Sequence, residues 1–210
     1  MTLLSCISAL TLSAVMIYSP LKLLSDVLLK QAEIEEEILL NQNMNRAMEL
    51  LMRAIREAGY RSNQNSKNEN DIQIKQGGLF RGSDAIELMQ DLPKYLAYDC
   101  MGNVLSKERT RHRKTYQHFY LERSRNDPRS AILTCHSLDR QGPLHQAELL
   151  NQVQYLQIHW VNPNTVDINS VKPKVASGLI KIILGVERKS QAGKGNTLIE
   201  QVRFVAPRHI

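Results

Sequence analysis

The sequence MTLLSCISALTLSAVMIYS, residues 1–19, decides how the rest of this chain is interpreted. It contains no charged residue. A helix of about 20 residues spans roughly 30 Å, the thickness of a bilayer's hydrocarbon core. A secretory signal would begin with a Lys/Arg-rich segment and would end at a small-residue cleavage site, whereas this stretch has neither and runs on into a second helical pattern. The stretch therefore predicts the transmembrane first half of a long N-terminal helix.

The second half of that helix is predicted to be amphipathic and to end near Ala58, because Gly59 can adopt the left-handed terminal conformation. Pro20 predicts a kink at the junction, since proline removes a helical hydrogen bond. Apolar residues then recur at steps of mostly three, four or six; they are Ile34, Ile38, Met44, Met48, Leu51 and Ile55. We expect the later part of this face to pack on the protein's own head domain.

Beyond the polar segment 61–70 the pattern becomes that of short strands that alternate apolar and polar residues. Seven strands are predicted: Asp71–Lys75, Ala85–Met89, Gln117–Glu122, Ala131–His136, Val153–Val161, Leu179–Glu187 and Leu198–Val205. A glycine-rich turn joins the last two into a hairpin. The predicted fold class is α+β, with a long N-terminal helix packed on an antiparallel β-sheet head. The predicted divisions are a transmembrane half at 1–27, an amphipathic half at 28–60 and the head at 61–210.

Composition limits the function classes. The chain has 210 residues, 27 Lys+Arg against 21 Asp+Glu, and 5 % aromatic residues, so a base-stacking surface is not indicated. Cys6 lies in the apolar run, which leaves Cys100 and Cys135 as one disulfide of an exported head or, alternatively, as two unrelated buried thiols. The six histidines show no ligand spacing, and His136 is interpreted as a strand-end residue. Because no nucleophile motif, phosphate loop or paired carboxylates are seen, we expect no enzyme, metal or cofactor.

Several short motifs occur in a characteristic order. They are RAIREAGY at 53–60, DCMGN at 99–103, LTC at 133–135 and GPL at 142–144, followed by VQYLQI at 153–158 and LIKIIL at 179–184. Together with the hydrophobic N-terminus, this ordered set resembles the type IV pilins, and more narrowly the PilW/PilJ-like minor pilins related to the GspJ/PulJ pseudopilins. The resemblance covers about residues 1–190.

The resemblance implies a structural subunit that primes or caps a type IV pilus at or near its tip. It implies as partners the other minor pilins, the major pilin, the pilus assembly platform and a tip adhesin. Before assembly such a protein sits in the bacterial inner membrane with its head in the periplasm, and afterwards at the pilus tip on the cell surface. The alternative is a type II secretion pseudopilin of the GspJ type. The neighbouring genes would distinguish the two, because pilus minor pilins are encoded beside other minor pilins.

The same resemblance implies roles for two N-terminal residues, Met1 and Ser5. Met1 would be the N-methylated first residue left by leader cleavage, since Met-Thr-Leu-Leu is similar to the usual pilin opening; the alternative is that Met1 is an unprocessed initiator. Most pilins carry a glutamate at the position of Ser5, whose carboxylate neutralises the N-terminal ammonium of a neighbouring subunit. Ser5 cannot do so, which favours a tip or priming position, with simple divergence of a low-copy subunit as the alternative.

A basic segment lies between the two head cysteines. Its cationic side chains alternate along the chain and would share one face of an extended segment; they are Lys107, Arg109, Arg111 and Arg113, with Lys114 next. Such a patch attracts phosphate in a salt-dependent way, which gives a second alternative function, a DNA-binding competence pilin. Because aromatic residues for base stacking are few, we expect the main partner of this loop to be a neighbouring minor pilin.

Overall fold

A computed structural model describes residues 3–58, 71–78, 80, 82–92, 97–106, 110, 114–125, 127–138, 144–161, 178–188 and 196–207. The chain divides into two compact units, Met1–Gln42 and Asn43–Ile210. Each unit is described by itself.

One helix, α1, spans Leu3–Glu57. Leu, Met, Ala and Glu dominate its sequence, and these residues lose little rotamer freedom in a helix. At its end Ala58 N donates to Ala54 O at 2.9 Å, and Arg56 lies in the last turn, where a cation interacts favourably with the helix dipole. The helix therefore ends where the sequence predicted, and Pro20 lies inside it.

The predicted fold class, α+β of the type IV pilin kind with a transmembrane first half, is wrong. Among the described residues, antiparallel sheet is the larger part of the structure, beside a single N-terminal helix. Within the described part of the chain, no helix is both long enough and apolar enough to span a bilayer. The predicted spanning segment 1–27 includes two charged residues, Lys22 and Asp26, and charged side chains are costly to transfer from water into hydrocarbon.

A seven-stranded antiparallel sheet forms the second unit. Its order is β1-β2-β5-β6-β7-β8-β9, and the short β3 and β4 pair separately. The strands are β1 Ile72–Lys75, β2 Ala85–Asp91, β3 Ala97–Tyr98, β4 Val104–Leu105, β5 Lys114–Arg123, β6 Ala131–Leu138, β7 Leu144–Val161, β8 Leu179–Arg188 and β9 Thr197–Val205. Each of the seven predicted strands overlaps a strand of this sheet, although β7 begins nine residues before the predicted Val153, and the predicted final hairpin is β8–β9.

Alternation along the strands separates a buried face from an outer face. In β5, for example, Thr115, Gln117, Phe119 and Leu121 are buried, while the residues between them are partly exposed. The helical segment 44–58 belongs to the same unit and contributes Met48, Leu51 and Ile55, each fully buried, to its core. The buried face of the sheet and this segment thus form one hydrophobic core.

The sheet curves into a half-barrel. Asp84, just before β2, reaches β7, although these two strands are not neighbours in the sheet. Its backbone N–H donates to Leu156 O at 2.8 Å, and its Oδ2 accepts from Ile158 N–H at 2.7 Å. Gln152 in β7 has a positive φ of 63°, beside the irregular register with β6. The two hydrogen bonds of Asp84 thus join the start of β2 to β7 across the curve of the sheet.

Candidate functional site

An exposed apolar line is the first candidate site. In the first unit, Ile17, Leu21, Leu24 and Leu28 are each more than half exposed, at 59, 57, 56 and 56 %. Their spacing of four, three and four residues places them along one stripe of α1. We call these four residues the apolar stripe. The positions 22, 26, 30, 33 and 37 are charged and follow a second line of the same helix.

Such a stripe has the chemistry of a helix–helix contact. Apolar residues repeating every three and four positions form the seam of coiled coils and helical bundles. Fully burying an exposed leucine or isoleucine side chain contributes about 1.5–3 kcal/mol, and because these four are a little over half exposed, a partner that covered them would gain about 3–7 kcal/mol. Lys22 and Asp26 lie on the second line, so they can stay in contact with water when a partner covers the stripe. The stripe can therefore bind another amphipathic helix.

The two head cysteines are joined. Cys100 and Cys135 form a disulfide with a Cα–Cα distance of 6.2 Å and a sequence separation of 35 residues, the pairing that the sequence analysis proposed. Cys100 lies in the tight turn between β3 and β4, and Cys135 lies fully buried in β6. The bond fixes that short hairpin to the main sheet.

Asp99 shapes the turn that carries Cys100. Its Oδ1 accepts from the backbone N–H groups of Met101 at 2.9 Å and Asn103 at 2.7 Å, and its Oδ2 accepts from Asn103 Nδ2 at 3.0 Å. Gly102 has φ +82°, a conformation that favours glycine. The segment DCMGN is thus a side-chain-capped turn whose structural role is to present Cys100 to β6.

A polar row crosses the outer face of the sheet. The registers Glu87↔His118 and His118↔His136 align one residue each from β2, β5 and β6. Tyr120 donates or accepts a hydrogen bond with His136 Nε2 at 2.6 Å, and its ring stacks on His118 with centroids 4.8 Å apart. Lys75 forms an ion pair with Glu87 at the β1 end of the row.

Burial and hydrogen bonding shift the pKa values in this row. Burial lowers the pKa of His118, an effect that Glu87 opposes and Lys75 and His136 reinforce. Burial raises the pKa of Glu87, but hydrogen bonds from Lys75 and Tyr116 outweigh it, so the pKa of this carboxyl lies below its usual value. Burial and the hydrogen bond to Glu87 raise the pKa of Tyr116 to about 12.

Sequence reasoning missed this row. His136 was interpreted as a strand-end residue, yet it lies inside β6 and faces Tyr120. The available signal was the alternation in β5, which puts Tyr116, His118 and Tyr120 on one face. The register that brings His136 beside them is a non-local property. His118 Nε2 is buried and has no hydrogen-bond partner among the described residues.

The remaining predicted site residues fall mostly outside the described part of the chain. Met1, Lys107, Arg109, Arg111 and Arg113 lie outside the described residues. The backbone of Ser5 lies in α1, and its side chain is not among those that the structure describes. Lys114 is exposed at the first position of β5. Within the described residues no cluster of three or more His, Cys, Asp or Glu side chains could hold a metal ion.

Comparison with known proteins identifies no relative: no family model, no curated protein and no solved structure matches the chain.

Proposed function

We propose that this protein is a structural assembly subunit, a minor pilin that primes or caps a type IV pilus at or near its tip. The observation that carries the proposal is the exposed apolar stripe Ile17, Leu21, Leu24 and Leu28. A stripe of this kind favours association, because contiguous exposed apolar surface marks interaction sites in folded proteins.

The second unit supports the same function. Its disulfide is typical of a domain exported from the reducing cytoplasm, which agrees with a head in the periplasm and then on the cell surface. Its core is closed by the helical segment 44–58, so the same helix has one segment for the head and another for partners. The partners we propose are the other minor pilins, the major pilin, the pilus assembly platform and a tip adhesin.

The test replaces the apolar stripe in the living cell. A strain lacking the gene is complemented with a variant in which Ile17, Leu21, Leu24 and Leu28 are changed to Ser. We expect loss of surface pili with retention of the head disulfide, because the seam is removed while the head is untouched. The measurements are pilus counts by electron microscopy and thiol mapping of the protein.

A matched control changes the charged line instead. Lys22→Gln, Asp26→Asn and Lys30→Gln alter three exposed positions of the same helix without changing its apolar surface, and this variant should assemble pili normally. Secretion of folded substrates is measured in the same strains, since a secretion defect with normal pili would assign the protein to a type II secretion pseudopilus. If the gene deletion affects neither pili nor secretion, the assembly role is wrong.

A further inference from the structure

The two edges of the seven-stranded sheet differ in protection. β1 has only four residues and ends in Lys75, and both properties discourage pairing with another chain. β9 has nine residues, Thr197–Val205, with no Pro and no Lys. Among the described residues, the sheet places only β8 beside β9. A long strand of this kind at an edge presents unpaired backbone groups that can pair with a further strand.

The side chains of β9 differ between its two faces. On one face, Gln201 Nε2 donates to Asn45 Oδ1 at 2.5 Å and Arg203 donates to the same oxygen at 3.3 Å, so these residues are held against the helix. On the other face, Leu198 and Phe204 are 52 and 56 % exposed. Within the described part of the chain, the edge therefore combines a strand that has a neighbour on one side only with apolar side chains that are about half exposed.

The sequence of β9 is complementary to itself about Gln201, the middle residue of the strand. In an antiparallel pair centred there, Leu198 of each copy lies opposite Phe204 of the other, so two apolar cross-strand pairs form. Glu200 lies opposite Val202. Centring the pair on Glu200 or on Arg203 instead would set like charges directly against each other, which is destabilising.

Gln201 itself adds an independent observation. Its Oε1 has no hydrogen-bond partner among the described residues, and an unpaired buried oxygen of this kind is costly. At the centre of a two-fold pair, two Gln201 side chains lie opposite each other, and each amide can keep one N–H on Asn45 while its second N–H donates to the other's oxygen. This would satisfy an acceptor that has no partner among the described residues of one copy.

We propose that β9 binds β9 of a second copy of this chain, antiparallel and centred on Gln201, so that two seven-stranded sheets form one continuous sheet. The interface is isologous, as in most homodimers. This inference does not depend on the proposed pilus function, because it uses only the edge of the head.

Site-specific cross-linking of the full chain tests the register. Single cysteines are placed at Leu198, Gln201 or Phe204 in a Cys6→Ser background, with the Cys100–Cys135 disulfide left intact, and the purified full chain is oxidised with copper phenanthroline. Directly opposed residues in an antiparallel pair have Cα atoms about 4.5 or 5.5 Å apart, within the range that a disulfide requires. Gln201→Cys alone should therefore give covalent dimers.

The other two positions provide the internal control. Leu198→Cys or Phe204→Cys alone should give about tenfold less dimer, because neither residue faces its own equivalent, whereas a mixture of these two variants should cross-link. Adding Phe204→Lys to the Gln201→Cys protein should abolish the dimer, and adding Leu24→Lys should not. Absence of a dimer at position 201, equal dimer at all three positions, or loss of the dimer only with Leu24→Lys would overturn the proposal.

Discussion

Replacing Asp84 with Ala should lower the free energy of unfolding by more than the small change in side-chain volume would suggest. Asp84 is 5 % exposed, and its Oδ2 accepts the backbone N–H of Ile158 at 2.7 Å. Ile158 is fully buried, so water cannot replace the lost acceptor. Because this bond joins the start of β2 to β7 across the curve of the sheet, its loss weakens the contact that holds the bend.

The magnitude follows from the type of bond. A hydrogen bond to a charged group contributes about 1.5–3 kcal/mol, and leaving a buried donor unpaired costs the full desolvation of that group. We expect Asp84→Ala to lower the free energy of unfolding by about 2–3 kcal/mol. For a chain of this size that corresponds to a decrease in Tm of about 4–12 °C. Asp84→Asn keeps a neutral acceptor oxygen and should cost about 1 kcal/mol.

Urea unfolding followed by the fluorescence of Trp160 measures these differences. Trp160 is the single tryptophan, lies in β7 two residues beyond Ile158, and is partly exposed. Glu148→Ala, on the exposed face of the same strand, is the matched control and should change stability by less than about 0.5 kcal/mol. If Asp84→Ala behaves like this control, or if Asp84→Asn costs as much as Asp84→Ala, the backbone contact does not hold the curve of the sheet.

Three further outcomes are expected. Cys100→Ser combined with Cys135→Ser should lower the free energy of unfolding of the head by about 3–4 kcal/mol, because the unfolded chain loses a cross-link. Urea unfolding measures this difference, and equal stability would mean that the disulfide does not restrict the unfolded chain. Met48→Lys should bury an unpaired charge and unfold the head by circular dichroism, whereas Glu36→Lys on the exposed helix should not, and similar melting curves would exclude the proposed core. Because burial lowers the pKa of His118 below 6.5 in the folded head, the unfolded chain binds more protons just below that value. Stability should therefore fall as the pH decreases below 6.5, measured by urea unfolding at several pH values, and His118→Gln should flatten this dependence.

Local periodicity accounts for what could be predicted of the sheet. The alternation of apolar and polar residues in Gln117–Glu122 predicted a strand there, because side chains alternate across any strand whatever lies beside it. The helix end at Ala58 was equally local, since Gly59 follows it in the sequence. The same kind of reasoning failed in residues 144–152, where LHQAELLNQ shows no clear alternation although it begins the 18-residue strand β7.

The candidate site was less accessible to sequence reasoning. The disulfide could be inferred by counting, because only Cys100 and Cys135 remained after Cys6 was assigned to the apolar run. The membrane-spanning interpretation was wrong because it relied on the charge-free start of the helix and gave too little weight to Lys22 and Asp26. The exposed apolar stripe could not be recognised from the sequence for a different reason: a sequence shows that a residue is apolar, but not whether another part of the protein covers it.

The sequence by itself indicated the long N-terminal helix, the approximate positions of the seven strands of the main sheet and the two cysteines available for a disulfide in the head. These properties depend on residues within a few positions of one another, or on counting. Only the tertiary structure decided that β2 reaches β7 through Asp84, that His118 and His136 meet on the outer face, and that β9 is left at an edge. The physical reason is that strand order and register are set by contacts between residues far apart in the chain, and a one-residue shift in register would reverse every face.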